Sequence, residues 1–415
     1  MMQTLQQIVR ELFTEKTRIV LTILAIAWGT FAIASMLAVG EGLRVTFAKA
    51  VAGAGDNLLV VSGGSTSKTY HGLPANRSIK LRKIDLRAIE FSVPNAAMVS
   101  PEYDASKSIE YNRQSINTAI KGVAQNYAVI HAITIKAGGR FIFPLDIKNR
   151  AFVIVLGAKA VEQLFANDVD PVGKQVLVGK QPFTVVGVMQ AKTQMVGADA
   201  PDEYSNWIPY STYELMYNPQ SINSISIRCK DTKIIEKTKL RIQHIVALNH
   251  DADPGDDAIV SFTDVAKQQQ TINDFFFGMQ VFLGIVGALT LMVAGVGIAN
   301  VMFASVSRAT HEIGIRMAVG ARTYQILLRY VVESLLVTFI GGILGLIMAA
   351  LLVLGLRAIP MHGKLVEAIG QPHPILSLSV VVVVVLVLGL VGLLAGIFPA
   401  MQAARVDPSE ALRYE

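Results

Sequence analysis

Side chains able to do chemistry gather in Ser307-Arg-Ala-Thr-His-Glu-Ile-Gly-Ile-Arg-Met-Ala-Val-Gly-Ala-Arg322, where Arg308, His311, Glu312, Arg316 and Arg322 stand close together. His311-Glu312 opens like the HExxH pattern, in which two histidines one helical turn apart hold zinc and the glutamate serves as base. Ile315 stands where the second histidine must be, so zinc cannot be held in this way. Elsewhere there is no GxxxxGK[ST] phosphate loop and no GxSxG nucleophile elbow. The single cysteine, Cys229, has no partner for an intrachain disulfide or a CxxC metal site, and beside Arg228 and Lys230 it reads as a strand residue. His71, His131 and His373 have no ligand spacing. The chain is therefore expected to be no enzyme and to bind no metal or cofactor itself. What remains at 307–322 is recognition. On a helix, Ile313, Met317 and Ala318 share one face and His311, Glu312 and Arg316 lie toward the other, with Gly320 placed to end the helix. From the residues alone, a passive interfacial helix and a helix that docks a partner are both open.

The segments that must position this helix are apolar. Of the 415 residues 52% are hydrophobic and 16% charged, against about 25% charged in soluble domains. A helix needs about 20 apolar residues to cross a bilayer. Four runs qualify, giving spans at 19–40, 275–307, 334–356 and 375–398, the last inside an apolar run reaching Ala404. The first is too long for the roughly 7–15-residue core of a signal peptide. Arg10, Lys16, Arg18, Arg308, Arg316, Arg322, Arg329, Arg405 and Arg413 fall on one side, and Arg357 and Lys364 on the other. The positive-inside rule puts residues 1–18, 308–333 and 399–415 in the cytoplasm, and 41–274 and 357–374 outside. The second span follows a stretch free of Pro and Gly, Asp264 to Asp274, and is read as one helix continuing outward as a stem; a break near Asn273 is the alternative. Gly341 and Gly345, and Gly392 and Gly396, form GxxxG pairs suited to close helix packing. Glu333, one turn from Arg329, reads as an interfacial residue at a helix start. The net charge of +6 comes without a block of like charges, so no nucleic-acid partner is indicated.

Between the first two spans the pattern changes to that of a mixed α+β domain. Leu58–Val61, Phe152–Leu156 and the alternating Ser224–Arg228 read as strands, Ala158–Phe165 as a short helix. Gln175–Val178, a Gly179-Lys180 turn and Phe183–Val188 read as a hairpin, and Gln190–Asn206 as an exposed loop. The predicted fold is thus a membrane protein of four transmembrane helices with a large extracytoplasmic α+β domain between helices one and two.

Glu312-Ile-Gly-Ile-Arg-Met-Ala-Val-Gly-Ala321 is similar to the signature of FtsX-like and MacB-like permeases, which precedes a span with an acidic start and a glycine pair, here Glu333 and Gly341-Gly342. The terminus Phe398–Glu415 resembles theirs, and Asp407, Pro408 and Glu410 suit a helix N-terminus there. Gly139-Arg140-Phe141, Asp170–Val176 with Phe183–Val188, and Trp207–Ser211 resemble the MacB periplasmic domain. The resemblance implies a multi-pass protein of the bacterial inner membrane, working as a dimer of permease copies with ABC ATPase subunits that carry ATP and Mg. Its coupling helix would be 308–322, through Arg308, His311, Glu312, Ile313, Gly314, Arg316, Met317, Gly320, Ala321 and Arg322. Closure of the ATPases would move this helix, and the stems would pass the motion outward. Cargo would be captured outside or drawn from the outer leaflet, with a periplasmic adaptor and an outer-membrane exit duct as further partners beside membrane lipid. MacB carries its ATPase ahead of the permease; about 18 residues precede the first span here, so the ATPase is expected on another chain. Related alternatives are the lipoprotein-release permeases and FtsX-like regulators of an extracytoplasmic hydrolase.

Overall fold

The computed structural model describes residues 16–165, 170–194, 201–359, 366 and 371–404. The expectations for residues 1–15, for much of the 357–374 loop and for a helix starting at Asp407 lie outside the described residues. The chain forms two compact units, one gathering the membrane-type helices and the other centred on Phe47–Asn273.

Helix α1 (Lys16–Ala52) leads into the inserted domain. There β1 (Leu58–Gly63), α2 (Lys83–Ser92), β2 (Ala96–Tyr111), β3 (Gln114–Val123), α3 (Tyr127–Ile130), α4 (Pro144–Lys148), β4 (Val153–Leu156) and α5 (Ala158–Leu164) come first. They are followed by β5 (Gln175–Val178), β6 (Gln181–Val188), β7 (Ser205–Pro209), α6 (Tyr210–Tyr217), β8 (Ser224–Cys229), α7 (Ile235–Asn249) and β9 (Val260–Asp264). The strand order is β3-β7-β4-β6-β5-β2-β8-β1-β9, and β3 also pairs with β2. That extra pairing closes six strands into a ring. The remaining strands make a second module: β1-α2-β2-β8-α7-β9, with β9, β1, β8 and the first half of β2 side by side and antiparallel, is a split βαβ arrangement. The long β2 serves both modules, pairing with β8 through Ala96–Glu102 and with β3 through Glu102–Tyr111.

Period-two alternation decides which side chains meet. Leu59 and Val61 join Ile89, Ile225, Ile227, Ile242 and Val246 beneath α2 and α7. Leu58 and Val60 face the opposite way, toward Val51, Ala54, Ile130 and Val265. β8 therefore has cover on both faces, and Ser224 to Ile227 are all buried, where alternation predicts a half-buried strand. The β5–β6 hairpin turns at Gly179 (φ +53°) and Lys180 (φ +78°), the two positive φ values that a tight two-residue turn requires. The expected exposed loop at Gln190–Asn206 needs correction. Asp202 and Glu203 are buried in a short 3-10 turn, and Ser205 and Asn206 belong to β7, because Lys192 brings a cation 2.7 Å from Asp202 and β3 pairs with the strand.

The other unit contains α1 to Thr46, α8 (Val265–Arg308) from Asp274, α9 (Thr310–Ala318), α10 (Thr323–Arg357) and α11 (Leu378–Ala404). Helices α1, α8, α10 and α11 are long and apolar enough to cross a membrane. α8 has no break near Asn273; at 1.5 Å per residue its 44 residues extend about 66 Å. α11 begins at Leu378 rather than Ile375, since the Ser377 hydroxyl and carbonyl receive the first amides and Ile375 N–H donates to the Ala38 carbonyl at 2.9 Å. It continues past residue 398, through Pro399, to Ala404.

Candidate functional site

The 308–322 connector is built by backbone hydrogen bonds first. At the end of α8, Ala309 N–H donates to the Ser305 carbonyl at 3.0 Å and Thr310 Oγ1 to the Ser307 carbonyl at 2.8 Å, so carbonyls that the helix leaves open find donors, and Arg308 Nε adds a bond to the Ala304 carbonyl at 3.1 Å. The chain turns at Ala309, whose carbonyl then accepts from Ile313 N–H at 2.8 Å. The far end closes as a Schellman motif. Ala321 N–H donates to the Arg316 carbonyl at 2.9 Å, Gly320 N–H to Met317 at 3.0 Å, and Gly320 adopts φ +103° just beyond the capping Val319. A glycine is required there because left-handed backbone crowds a Cβ. Arg322 then opens α10, its N–H donating to Gln325 Oε1 at 3.1 Å.

Two faces result, and they differ in part from those the periodicity predicts. Ile313 and Gly314 are buried, and Ile313 sits in one apolar cluster with Val306, Ile326 and Tyr330, against which Met317 packs. Ala318, expected on that face, is exposed, as are Ile315 and Val319. In this nine-residue helix the fully buried stripe is narrow, Ile313 and Gly314, and Ala318 falls beyond it. On the outer side His311 and Glu312 are exposed, and the Glu312 carboxylate accepts from the Arg316 guanidinium one turn on. The two charges therefore pair with each other in this chain. An exposed pair of this kind contributes only about 0.3–0.5 kcal/mol, so little is lost if a partner surface exchanges it.

The glycine pairs act in helix contacts. A Cβ on Gly341 would stand 2.8 Å from Ile26 Cβ, and one on Gly345 2.5 Å from the Ala27 carbonyl, so this pair faces α1. Gly392 and Gly396 face Thr338 and Ser334 of α10 instead, and Ser334 Oγ donates to the Gly392 carbonyl at 2.9 Å. Glu333 and Arg329 are half-buried one turn apart at the start of α10.

Three polar clusters escaped the sequence reading. Arg44 forms a two-pronged pair with Glu41, at 2.9 and 2.7 Å, and Gln280 of α8 also donates to Glu41 at 2.7 Å; the three-residue spacing just past the first span is the signal that could have found it. In the inserted domain the buried Lys121 ammonium lies 2.5 Å from Glu102, which also accepts from Tyr127 OH at 3.3 Å. Burial, with the Glu102 charge nearby, pushes the Tyr127 phenol well above its ordinary range. Asp85 accepts from Arg82 N–H, Asn249 and His250 at 2.7, 2.8 and 2.9 Å. Burial alone would raise its carboxyl; the hydrogen bonds, His250 first, outweigh that and hold it below its usual 3.8. Burial pushes the Cys229 thiol up to about 11, so it stays protonated at neutral pH.

A family model described as the MacB-like periplasmic core domain matches residues 19–245, and one described as the FtsX-like permease C-terminal region matches residues 284–408. The chain belongs to the MacB/FtsX-like family of ABC transporter permeases. In this family the inserted domain is the extracytoplasmic, periplasmic-type one. Similar relatives include the macrolide export ATP-binding/permease proteins MacB of Bdellovibrio bacteriovorus (30% identical over 426 residues, 100% of this chain and 62% of the relative) and Bordetella avium (30% over 404 residues, 96% and 58%). The Escherichia coli K12 MacB is 30% identical over 407 residues. The chain thus spans about three fifths of the length of these relatives (62%, 58% and 60%). Among solved structures, the periplasmic region of MacB from Actinobacillus actinomycetemcomitans is similar at 21% identity, covering 54% of this chain and 95% of that one with a TM-score of 0.42. The extracellular domain of the ABC-type transporter YknZ is similar at 16%, covering 50% and 100% with a TM-score of 0.41.

Proposed function

We propose that this chain is the membrane-spanning subunit through which an ATPase on another chain moves an extracytoplasmic domain. The observation that supports it best is the order of elements: β9 passes into α8 at consecutive residues, Asp264 and Val265, and α8 passes into the two-faced α9 with only Ala309 between. A push on α9 has a helix of uninterrupted hydrogen bonds to travel along. In this reading both termini and α9 are cytoplasmic, ATP and Mg bind the ATPase, and the permease works as a dimer. Conformational work is done on cargo held outside: a lipid-like, peptide or drug-like molecule, handed on through an adaptor and an exit duct. The membrane helices support transmission over conduction, because ionisable side chains that mark polar routes are few within them.

The experiment is transport-coupled ATP hydrolysis by the permease reconstituted with its ATPase. α9 would dock by its exposed side, His311, Glu312, Arg316, Ile315 and Val319, leaving Ile313 on the bundle. Glu312→Arg is expected to lower the coupled rate several-fold, on the scale of the roughly 2–5 kcal/mol that a charge buried at an interface can carry, reduced for one nearer the rim. Combining it with Arg316→Glu is expected to lower the rate further. Restoration of the original rate by the double reversal would mean that the two residues serve only each other, and the docking assignment for them would fall.

A further inference from the structure

The outward surface of the split βαβ module is built like a receptor for a third helix. α2 and α7 lie side by side and antiparallel, tied at one end by Asn95 to Thr238 (2.9 Å) and at the other by Asp85 to Asn249 and His250. Their buried sides, Ile89 on one and Ile242 and Val246 on the other, look toward the sheet. On α2 the strip turned away carries Ile84, Arg87 and Phe91, spaced by three and four residues. On α7 it carries Lys237, Leu240, Arg241, His244 and Leu248. Every residue of both strips is exposed. The four apolar ones are more than half exposed: Ile84 56%, Phe91 84%, Leu240 62% and Leu248 61%. Single exposed hydrophobics need no explanation; two facing strips with large side chains repeating every one or two turns do.

The charges say what would cover them. Several other cations of this module are satisfied within the fold, Lys83 by Glu214, Lys239 by Glu236 and Asp264, Lys68 by Asp253, and Arg77 and Arg82 by backbone carbonyls, whereas the exposed strips collect three that are not. Arg87, Lys237 and Arg241, the cations of the strips, have no hydrogen-bond or ion-pair partner among the described residues. The nearby carboxylates do not supply one. Glu236 is taken by Lys239, and Glu90, three residues beyond Arg87 on α2, makes no ion pair with it among the described residues. The geometry points to a docking groove between α2 and α7 for an acidic amphipathic helix of an extracytoplasmic partner protein. Its apolar side chains would meet Ile84, Phe91, Leu240 and Leu248, and its carboxylates Arg87, Lys237 and Arg241. Neighbouring helices 8–10 Å apart leave such a furrow, and helix-in-groove recognition uses this spacing of anchors. The assignment does not depend on ATPase coupling through α9, and the two fail separately.

The test is photocrosslinking of the full-length chain in intact cells, with a benzophenone amino acid at Phe91, at Leu248 and, as control, at the exposed Leu177 of the ring module. The expected result is one protein adduct shared by positions 91 and 248 and absent at 177. Its crosslinked peptide should be helical in pattern and rich in Asp and Glu. Adduct yield should fall on the order of tenfold in Arg87→Glu with Arg241→Glu, as attraction becomes repulsion. These arginines are exposed and unpaired, so the variant is expected to fold; Phe91→Ser with Leu248→Ser, probed from position 244, gives a second, uncharged way to lose the adduct. Four results would overturn the assignment: no adduct at 91 and 248, adducts only with lipid (a membrane surface), adducts only with a second copy of this chain, or a protein adduct indifferent to charge reversal.

Discussion

The four-helix unit and the inserted domain are packed with different materials. Between the membrane-type helices the closest approaches occur at glycines: Gly345 on the Ala27 carbonyl, Gly396 on Ser334, Gly287 on Ile33. Among the described residues, most of the buried polar groups there are hydroxyls, such as Thr30 and Thr338, that bond to a carbonyl one turn back. The inserted domain also uses glycines where backbones meet, as at Gly63 beside the Ile79 carbonyl, but its core is made of branched side chains across strands, and charges are buried in matched pairs, Glu102 with Lys121 and Asp202 with Lys192. The difference follows from the solvent. Lipid gives apolar side chains little reason to leave it, so membrane helices gain by close backbone approach. Water drives apolar burial, and a core built that way can carry an ion pair if both ends are matched.

The contrast is broken most severely at Gly345. Leucine there would drive its Cβ into a backbone carbonyl that cannot move aside, so Gly345→Leu should exceed the roughly 1–3 kcal/mol of ordinary overpacking and abolish monodisperse protein in detergent. Gly389→Leu, where a Cβ meets nothing within 4 Å, should be recovered at the parent's level by size-exclusion chromatography. Equal behaviour of the two would mean that close approach does not hold the bundle.

Next in size is the buried pair. Lys121→Met leaves the buried Glu102 carboxylate without its counter-charge and should cost about 3–5 kcal/mol, while Glu102→Leu with Lys121→Met should recover most of it. The chain has two tryptophans, Trp28 in α1 and the buried Trp207 in β7. In a Trp28→Phe background, denaturant unfolding followed by fluorescence then reports on the inserted domain alone. A double variant no better than the single one would show that the ion pair is more than an interchangeable filler.

The smallest effect is expected at Asp85. Its carboxyl is held below 3.8 in the folded domain. The stability this confers is complete above that unfolded value and is lost as pH falls through the lower folded one. Asp85→Asn should weaken the domain at pH 7 by about 1.5–3 kcal/mol, the range for hydrogen bonds to a charged group. It should also flatten the acid limb of the stability curve. An unchanged acid limb in the variant would assign the acid sensitivity to other carboxylates.

How much of this was legible in sequence varies with distance along the chain. The spans were readable because a bilayer imposes one length on every crossing helix. The β5–β6 hairpin was readable because its signal sits in adjacent residues, Gly179 and Lys180. The Gly320 stop was equally local. The ring closure was not readable, since it depends on β2 meeting both β3 and β5, nor was the pairing of Asp85 with His250, 165 residues apart. The faces of α9 were half legible. Periodicity selects Ile313 and Met317, but the width of the buried stripe depends on how α10 lies against it, and so Ala318 was misplaced.

The place of β1 in its sheet has a consequence for how the protein is made. Both of its neighbours, β8 and β9, come from the far end of the inserted domain, the latter immediately before α8. Synthesis proceeds at about 5–20 residues per second, so on the order of ten seconds or more separates delivery of β1 from delivery of either partner. Throughout that interval both hydrogen-bonding edges of Leu58-Leu-Val-Val61 lack their strand partners, and of its apolar neighbours those that come early in the chain, such as Val51, Ala54 and Ile89, are the ones at hand. The sheet therefore cannot close around β1 until nearly the whole inserted domain has been made, and until then β1 is an open strand edge of the kind that invites wrong pairing.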